Sequence, residues 1–204
     1  MVNDDVAVED STFTSGRRGI AGTIFVHKIC GAAAAEGKDL ASIKELAERV
    51  NANVRSMGMS LTSCVPPESG EPIFEIGDDE MEIGMGIHGE PGIERKNIEP
   101  ADRIVDDLLQ KILNDNVDFT SSGSEVAVMV NGLGGTPLME LYIAYAHVAD
   151  VLKREGVNIY KMPYVGEYMT SLEMAGFSIT LLKLDEDMKG YLEAPCDVAA
   201  GRPF

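Results

Sequence analysis

The sequence contains few cysteines, and their spacing argues against a structural role for sulfur. Cys30, Cys64 and Cys196 are odd in number and widely separated, and none belongs to a CxxC pair. A disulfide framework needs paired cysteines and a zinc site needs closely spaced ligands, so neither is supported. We expect three reduced and mostly buried thiols.

Basic residues and long apolar runs are also scarce. Seventeen Lys and Arg stand against 34 Asp and Glu, which gives a formal net charge of -17. Such a chain repels phosphate backbones and anionic lipid, and it should not hold a nucleotide itself. No apolar run approaches the roughly 20 residues that span a bilayer, and no signal-peptide pattern is visible. These absences predict a cytoplasmic protein that binds neither nucleic acid nor membranes.

The pattern of apolar residues predicts an α/β fold. A chain of 204 residues with 45% hydrophobic content can bury one sizeable core. Helical spacing predicts four helices, at residues 20–35, 40–56, 100–113 and 137–155. Runs of β-prone residues predict strands at residues 57–64, 73–76, 81–87, 125–130, 157–163 and 177–184. Their order predicts a two-layer mixed sheet covered by helices and preceded by a helical segment from a neighbouring domain.

One stretch, residues 81–92 (MEIGMGIHGEPG), breaks from an apolar run into glycines around His88. Glycine lets the backbone approach a small ligand closely, and Gly84, Gly86 and Gly89 would leave room for one. A strand that ends in a glycine-rich loop is a common ligand site in α/β folds. His88 is therefore the first candidate for chemistry, although a lone histidine is more often structural.

Other candidate ligand groups have a structural interpretation. The acidic residues 77–80 (GDDE) lack the ligand spacing of a calcium loop and are interpreted as a solvated turn. Residues 131–137 (NGLGGTP) match neither phosphate-loop pattern, so a tight strand-to-helix turn is favoured, with a part in a substrate cleft or partner surface left open. His27 and His147 fall within helices and are predicted to be structural. Residues 17–18 (RR) are predicted to be solvated.

Four motifs of this chain closely resemble the K subunit of dihydroxyacetone kinase, in family order and nearly end to end. They are residues 3–7 (NDDVA), 86–92 (GIHGEPG), 131–137 (NGLGGTP) and 169–177 (MTSLEMAGF). The likeness covers only the second, His-bearing part of that subunit. The resemblance therefore implies that the family's preceding part, with its catalytic aspartate, is absent from this chain.

The same resemblance implies a division of the chain. Residues 1–50 would be a helical segment belonging to the missing first domain, and residues 51–190 an α/β substrate-tethering domain. Residues 191–204 would form a C-terminal tail.

The resemblance also implies a role for His88, which would be both the catalytic and the substrate-binding residue. A ring nitrogen would add to the carbonyl of dihydroxyacetone (glycerone) and tether it as a hemiaminal. Glu90 would either steer the imidazole or serve a backbone turn. The chain would bind no cofactor or metal, since ATP or ADP and magnesium are expected on a partner L subunit. We therefore expect an incomplete kinase, inactive alone and homodimeric, whose phosphoryl donor is either ATP or a phosphotransferase-system relay.

Two other functions remain open from the sequence. A regulatory paralogue of the kinase subunit could bind dihydroxyacetone without catalysing its phosphorylation. A fatty-acid-binding protein of a related two-domain fold fits the histidine-centred motif less well.

Overall fold

The computed structural model describes residues 1–9, 16–88 and 90–198. The predictions for Gly89, and for parts of the irregular opening and the C-terminal tail, fall outside these ranges. The helices are α1 (Gly22–Ala35), α2 (Leu40–Asn53), α3 (Ala101–Leu113), α4 (Leu138–Arg154) and α5 (Glu186–Glu193). The strands are β1 (Val54–Ser60), β2 (Glu80–Ile83), β3 (Glu94–Asn97), β4 (Glu125–Gly132), β5 (Asn158–Ile159), β6 (Tyr164–Gly166) and β7 (Gly176–Lys183). None of these helices is long and apolar enough to cross a membrane.

The strands form one mixed sheet in the order β3-β2-β1-β7-β4-β5, and β6 also pairs with β4. The central strand β7 runs antiparallel to both β1 and β4. The parallel pairs are those of β4 with β5 and with β6. Helix α4 connects β4 to β5, as expected for a crossover between parallel strands. The predicted α/β class with a mixed sheet and a preceding helical segment is confirmed.

Helices cover both faces of the sheet. On β4, Val126, Val128 and Val130 pack in the apolar cluster that contains α3 and α4. The alternate residues Ala127 and Met129 pack in a second cluster with α1, α2 and α5. Successive side chains of a strand point to opposite faces, so the sheet lies between two helical layers and the architecture has three layers rather than two. The division at residues 50 and 190 stays a prediction.

Several element boundaries differ from the prediction because tertiary pairing overrides local pattern. Helix α2 ends at Asn53, since Val54 and Arg55 pair with Leu182 and Leu181 of β7. Residues 73–76 have no strand pairing and lie in an irregular surface segment. Two short edge strands, β3 and β6, were not predicted. The sequence of β3 is charged (ERKN), as is common for an edge strand that faces solvent.

Candidate functional site

His88 lies in the connection between β2 and β3, which we call the histidine loop (residues 84–92). Its side chain is 79% exposed. The ring atom Nδ1 lies 3.3 Å from Oε1 of Glu90, whereas Nε2 makes no hydrogen bond within the described residues. A proton on Nδ1 would let that nitrogen donate to the carboxylate and leave the Nε2 lone pair directed at solvent. The loop thus presents a candidate nucleophile.

The Glu90 carboxylate holds the backbone of the loop as well as the ring. Its Oε2 accepts a hydrogen bond from the His88 backbone N–H at 2.9 Å. Burial acts to raise the pKa of Glu90, but hydrogen bonds from its own and the His88 backbone N–H groups outweigh burial and hold the pKa below its ordinary value. The carboxylate is therefore ionised at neutral pH and can orient the imidazole.

The space beside two of the loop glycines is filled by the chain itself. A Cβ at Gly86 would lie 2.2 Å from Oε2 of Glu90, and one at Gly84 would lie 2.7 Å from the Cβ of Ala7. Neighbouring side chains therefore occupy the Cβ direction at both residues, and the idea that Gly84 and Gly86 leave room for a ligand stays a prediction. These glycines admit neighbouring side chains that shape the loop, and Gly89 lies outside the described residues.

The motif at residues 169–177 contacts the histidine loop through a buried hydroxyl. The Oγ of Ser171 donates to the carbonyl oxygen of Ile87, the residue before His88, at 2.6 Å. Ser171 is 4% exposed, and its backbone N–H donates to the Leu133 carbonyl at 2.9 Å. Residues far apart in sequence thus fix the carbonyl immediately before the histidine.

The glycine-rich motif at residues 131–137 supports that contact and forms a tight turn. Both Gly134 and Gly135 press against the backbone of residues 172–175, where an added Cβ would lie 1.7 Å from Leu172 O and 2.4 Å from Glu173 O respectively. The side chain of Thr136 bonds the backbone of Gly176 instead of capping α4. The structural interpretation of this turn agrees with these contacts.

The N-terminal motif contributes a buried ion pair. Arg18 is 5% exposed, and its Nε donates to Oδ2 of Asp5 at 2.9 Å. The same guanidinium donates from Nη2 to the Gly84 carbonyl at 2.6 Å and from Nη1 to the Pro91 carbonyl at 3.3 Å. Burial raises the pKa of Asp5 to about 6, although the charge of Arg18 acts to lower it.

The prediction that the arginine pair is solvated is therefore wrong. Arg17 is also engaged, because its guanidinium makes two hydrogen bonds with Asp115, at 2.9 and 2.7 Å. Asp5, which is close in sequence, and Asp115, which is distant, draw the two arginines out of solvent.

Other clusters do not offer comparable chemistry. An open groove of about 910 Å³ is lined by most residues of the segments 61–65 and 72–80 together with Arg95, Ile98 and Ala175, but His88 is not part of its wall. His147 binds Asp106 through Nε2 at 2.8 Å, which joins α4 to α3, and His27 is exposed on α1. Among the described residues no group of three or more His, Cys, Asp or Glu side chains could hold a metal ion.

The structure thus combines a mixed α/β sheet with an exposed imidazole that faces a carboxylate on a glycine-rich loop. Residues 1–200 match the Dak1 domain, and the chain belongs to the Dak1 domain family. It is 51% identical over 201 residues to the dihydroxyacetone-binding subunit of PTS-dependent dihydroxyacetone kinase 1 from Listeria innocua. That match covers 98% of this chain and 60% of the relative.

Two solved structures share the fold. A dihydroxyacetone kinase operon co-activator superposes with a TM-score of 0.85 at 35% identity, over 95% of this chain and 59% of the other. The dihydroxyacetone kinase from C. freundii in complex with AMP-PNP and Mg²⁺ gives a TM-score of 0.80 at 29% identity, over 98% of this chain and 39% of the other. The chain therefore spans 60% or less of the length of each of these three proteins.

Proposed function

We propose that this chain is the ketone-capturing part of a dihydroxyacetone kinase, in which Nε2 of His88 adds to the carbonyl carbon of dihydroxyacetone. The observation that carries the proposal is the state of the imidazole. It is exposed on its loop, with Nδ1 facing the Glu90 carboxylate and Nε2 without a hydrogen-bond partner among the described residues. The names of the relatives support the choice of ketone.

The addition balances without an external reagent. The Nε2 lone pair forms a bond to the carbonyl carbon, and the π bond electrons move to oxygen. The oxygen gains a proton from water and Nδ1 releases one through Glu90 to water, so the proton count is unchanged and the hemiaminal is neutral with an uncharged imidazole. Glu90 faces Nδ1 at 3.3 Å and is placed to accept the departing proton. Glycerol has no carbonyl group, so capture would select the ketone over its reduced analogue.

We propose further that phosphoryl transfer depends on groups outside this chain. Transfer to a hydroxyl needs a base and cations that neutralise the phosphates, whereas this chain carries a formal charge of -17. ATP or ADP and magnesium would accordingly belong to an L subunit. The isolated chain should bind the ketone but not phosphorylate it, and added L subunit alone should not restore turnover.

Carbon NMR with dihydroxyacetone labelled at its carbonyl carbon tests the capture step. Wild type should convert the ketone resonance to that of a tetrahedral carbon bonded to nitrogen. His88→Ala should abolish that signal, and His27→Ala, which removes an exposed helix histidine, should retain it. A wild-type spectrum that shows only free ketone at saturating ligand, or an unchanged signal in His88→Ala, would refute the proposal.

A regulatory role is the second candidate function, because the superposition with the operon co-activator reaches a TM-score of 0.85. Both candidates would bind the ketone. They differ in turnover when the chain is joined to the preceding part of a relative's subunit and supplied with an L subunit and phosphoryl donor. Self-association as a homodimer also stays a prediction, which sedimentation velocity tests.

A further inference from the structure

One guanidinium joins both ends of the histidine loop. Arg18 donates to the carbonyl oxygen of Gly84, where the loop leaves β2, and to that of Pro91, just before the loop enters β3. The residues between these two carbonyls include His88. Because a guanidinium is planar and its donors have a fixed geometry, its two carbonyl contacts constrain the separation of the loop ends.

The Arg18 side chain is itself held in place by the N-terminal motif. Asp5 is fully buried and accepts hydrogen bonds from Arg18 and, through Oδ1, from the Ala7 backbone N–H at 2.9 Å. The adjacent Asp4 accepts from the backbone N–H groups of Ile20 and Gly22 at 2.8 Å each, which ties the segment to the start of α1. The position of Arg18 therefore depends on the N-terminal motif and on α1.

A loop this rich in glycine would otherwise sample many conformations, because glycine loses the most freedom on ordering. The ring of His88 is exposed, and among the described residues Glu90 alone lies within hydrogen-bonding distance of it, at 3.3 Å. The direction of the ring therefore depends on Glu90 and on the loop backbone that carries both residues. Cross-linking the loop ends lowers the number of conformations available to that backbone.

We propose that Arg18, held by Asp5, is a positioning residue that sets the geometry of the histidine loop and so presents His88 to its ketone. The role in capture rests on the function proposed above. The role in ordering the loop stands on the contacts of Arg18 alone.

The test compares Arg18→Lys with the matched variant Arg17→Lys. Lysine can still pair with Asp5, but its single ammonium cannot reproduce a planar fork that binds two carbonyls and a carboxylate. Arg17 pairs with Asp115 and has no hydrogen bond to the described residues of the histidine loop, so its replacement should leave loop and capture unchanged. A double variant, Arg18→Met with Asp5→Asn, removes both charges and avoids leaving one buried and unpaired.

Two readouts are measured on each folded variant. The first is hydrogen exchange of the Gly86 amide, which donates to the Glu90 carbonyl inside the loop at 3.1 Å, relative to amides in β4 and β7. The second is ketone capture by carbon NMR. In Arg18→Lys and in the double variant, exchange at Gly86 should rise at least about tenfold and capture affinity should fall about tenfold, with the strand amides unchanged.

Each result bears on the proposal. Unchanged exchange at Gly86 in a folded Arg18→Lys protein would overturn it, whether or not capture falls. A loosened loop with full capture would overturn the positioning role. Wild type that captures no ketone would refute the proposed function, while the exchange measurement would still decide whether Arg18 orders the loop.

Discussion

Replacing Gly86 with alanine tests whether the orientation of His88 matters for capture, because the substitution displaces Glu90 and keeps the histidine. The added Cβ would lie 2.2 Å from Oε2 and 2.6 Å from Cδ of Glu90. The backbone at Gly86 does not adopt the left-handed region, so alanine introduces no conformational strain there. The nearest atoms belong to the end of a flexible side chain, and Glu90 should therefore swing away while the loop backbone remains.

The magnitude follows from the contacts that Glu90 would lose. Its hydrogen bond from the His88 N–H, 2.9 Å long, involves a charged acceptor, and such bonds contribute about 1.5–3 kcal/mol. The contact with Nδ1 is 3.3 Å long on an exposed ring, so we assign it less. If the lost contacts orient the imidazole, the affinity for the ketone should fall about 10- to 100-fold.

Carbon NMR titration of labelled dihydroxyacetone measures this in a double-mutant cycle of Gly86→Ala and Glu90→Ala. The Glu90→Ala background removes the two nearest atoms and leaves the Cβ of residue 90 at 3.1 Å from the Cβ at position 86, so the second substitution should change affinity little. Gly31→Ala is the control, because a Cβ there meets nothing within 4 Å. An equal loss from Gly86→Ala in both backgrounds, or none in either, would refute the reasoning.

Two further predictions concern stability. Burial acts to raise the pKa of Asp115, but hydrogen bonds from Arg17 and Arg55 lower it to about 2. The ionised carboxylate should therefore contribute about 2 kcal/mol to the free energy of unfolding above pH ~4, and this contribution should be lost as pH falls through ~2. Urea unfolding across that pH range measures the loss. Asp115→Ala should cost about 3 kcal/mol at pH ~7 because it removes the carboxylate that pairs with the buried Arg55, and an unfolding midpoint equal to that of wild type would contradict this. Gly134→Ala should cost at least about 3 kcal/mol, since its Cβ would lie 1.7 Å from a backbone oxygen at a φ of +111°. Gly123→Ala, with a positive φ but nothing within 4 Å, should cost only about 1 kcal/mol, and equal losses at both positions would contradict the steric argument.

The sequence predicted those elements whose apolar pattern matches what they bury. Helix α3 presents a stripe that packs wholly in one cluster, made of Ile104, Val105, Leu108, Leu109 and Ile112. Strand β4 was likewise predictable from its continuous apolar run, because both of its faces are covered. By contrast, residues 73–76 have the composition of a strand but no strand beside them. Strand pairing is a tertiary event, and composition alone cannot supply the partner.

The sequence predicted the central residue of the candidate site, His88, but not the residues that hold its loop. His88 stood out because glycines surround it, whereas the burial of Arg18 depends on carbonyls at Gly84 and Pro91 that are distant in sequence. One signal was present: the acidic pair Asp4 and Asp5 and the arginine pair share one short segment. In a chain with an excess of carboxylates, two arginines close in sequence to two aspartates indicate a local ion pair before the fold is known.

The loop around His88 is held at separate points by separate parts of the chain. Arg18 fixes the carbonyls at its two ends, Ser171 fixes the carbonyl before the histidine, and Glu90 fixes the histidine N–H. Among the described residues, neither Arg18 nor Ser171 bonds the imidazole, yet each restrains the loop backbone that carries it. The position of one exposed ring therefore depends in part on buried contacts made by the N-terminal motif and by residues 169–177. A substitution in either should alter ketone capture although the His88 side chain itself is not substituted.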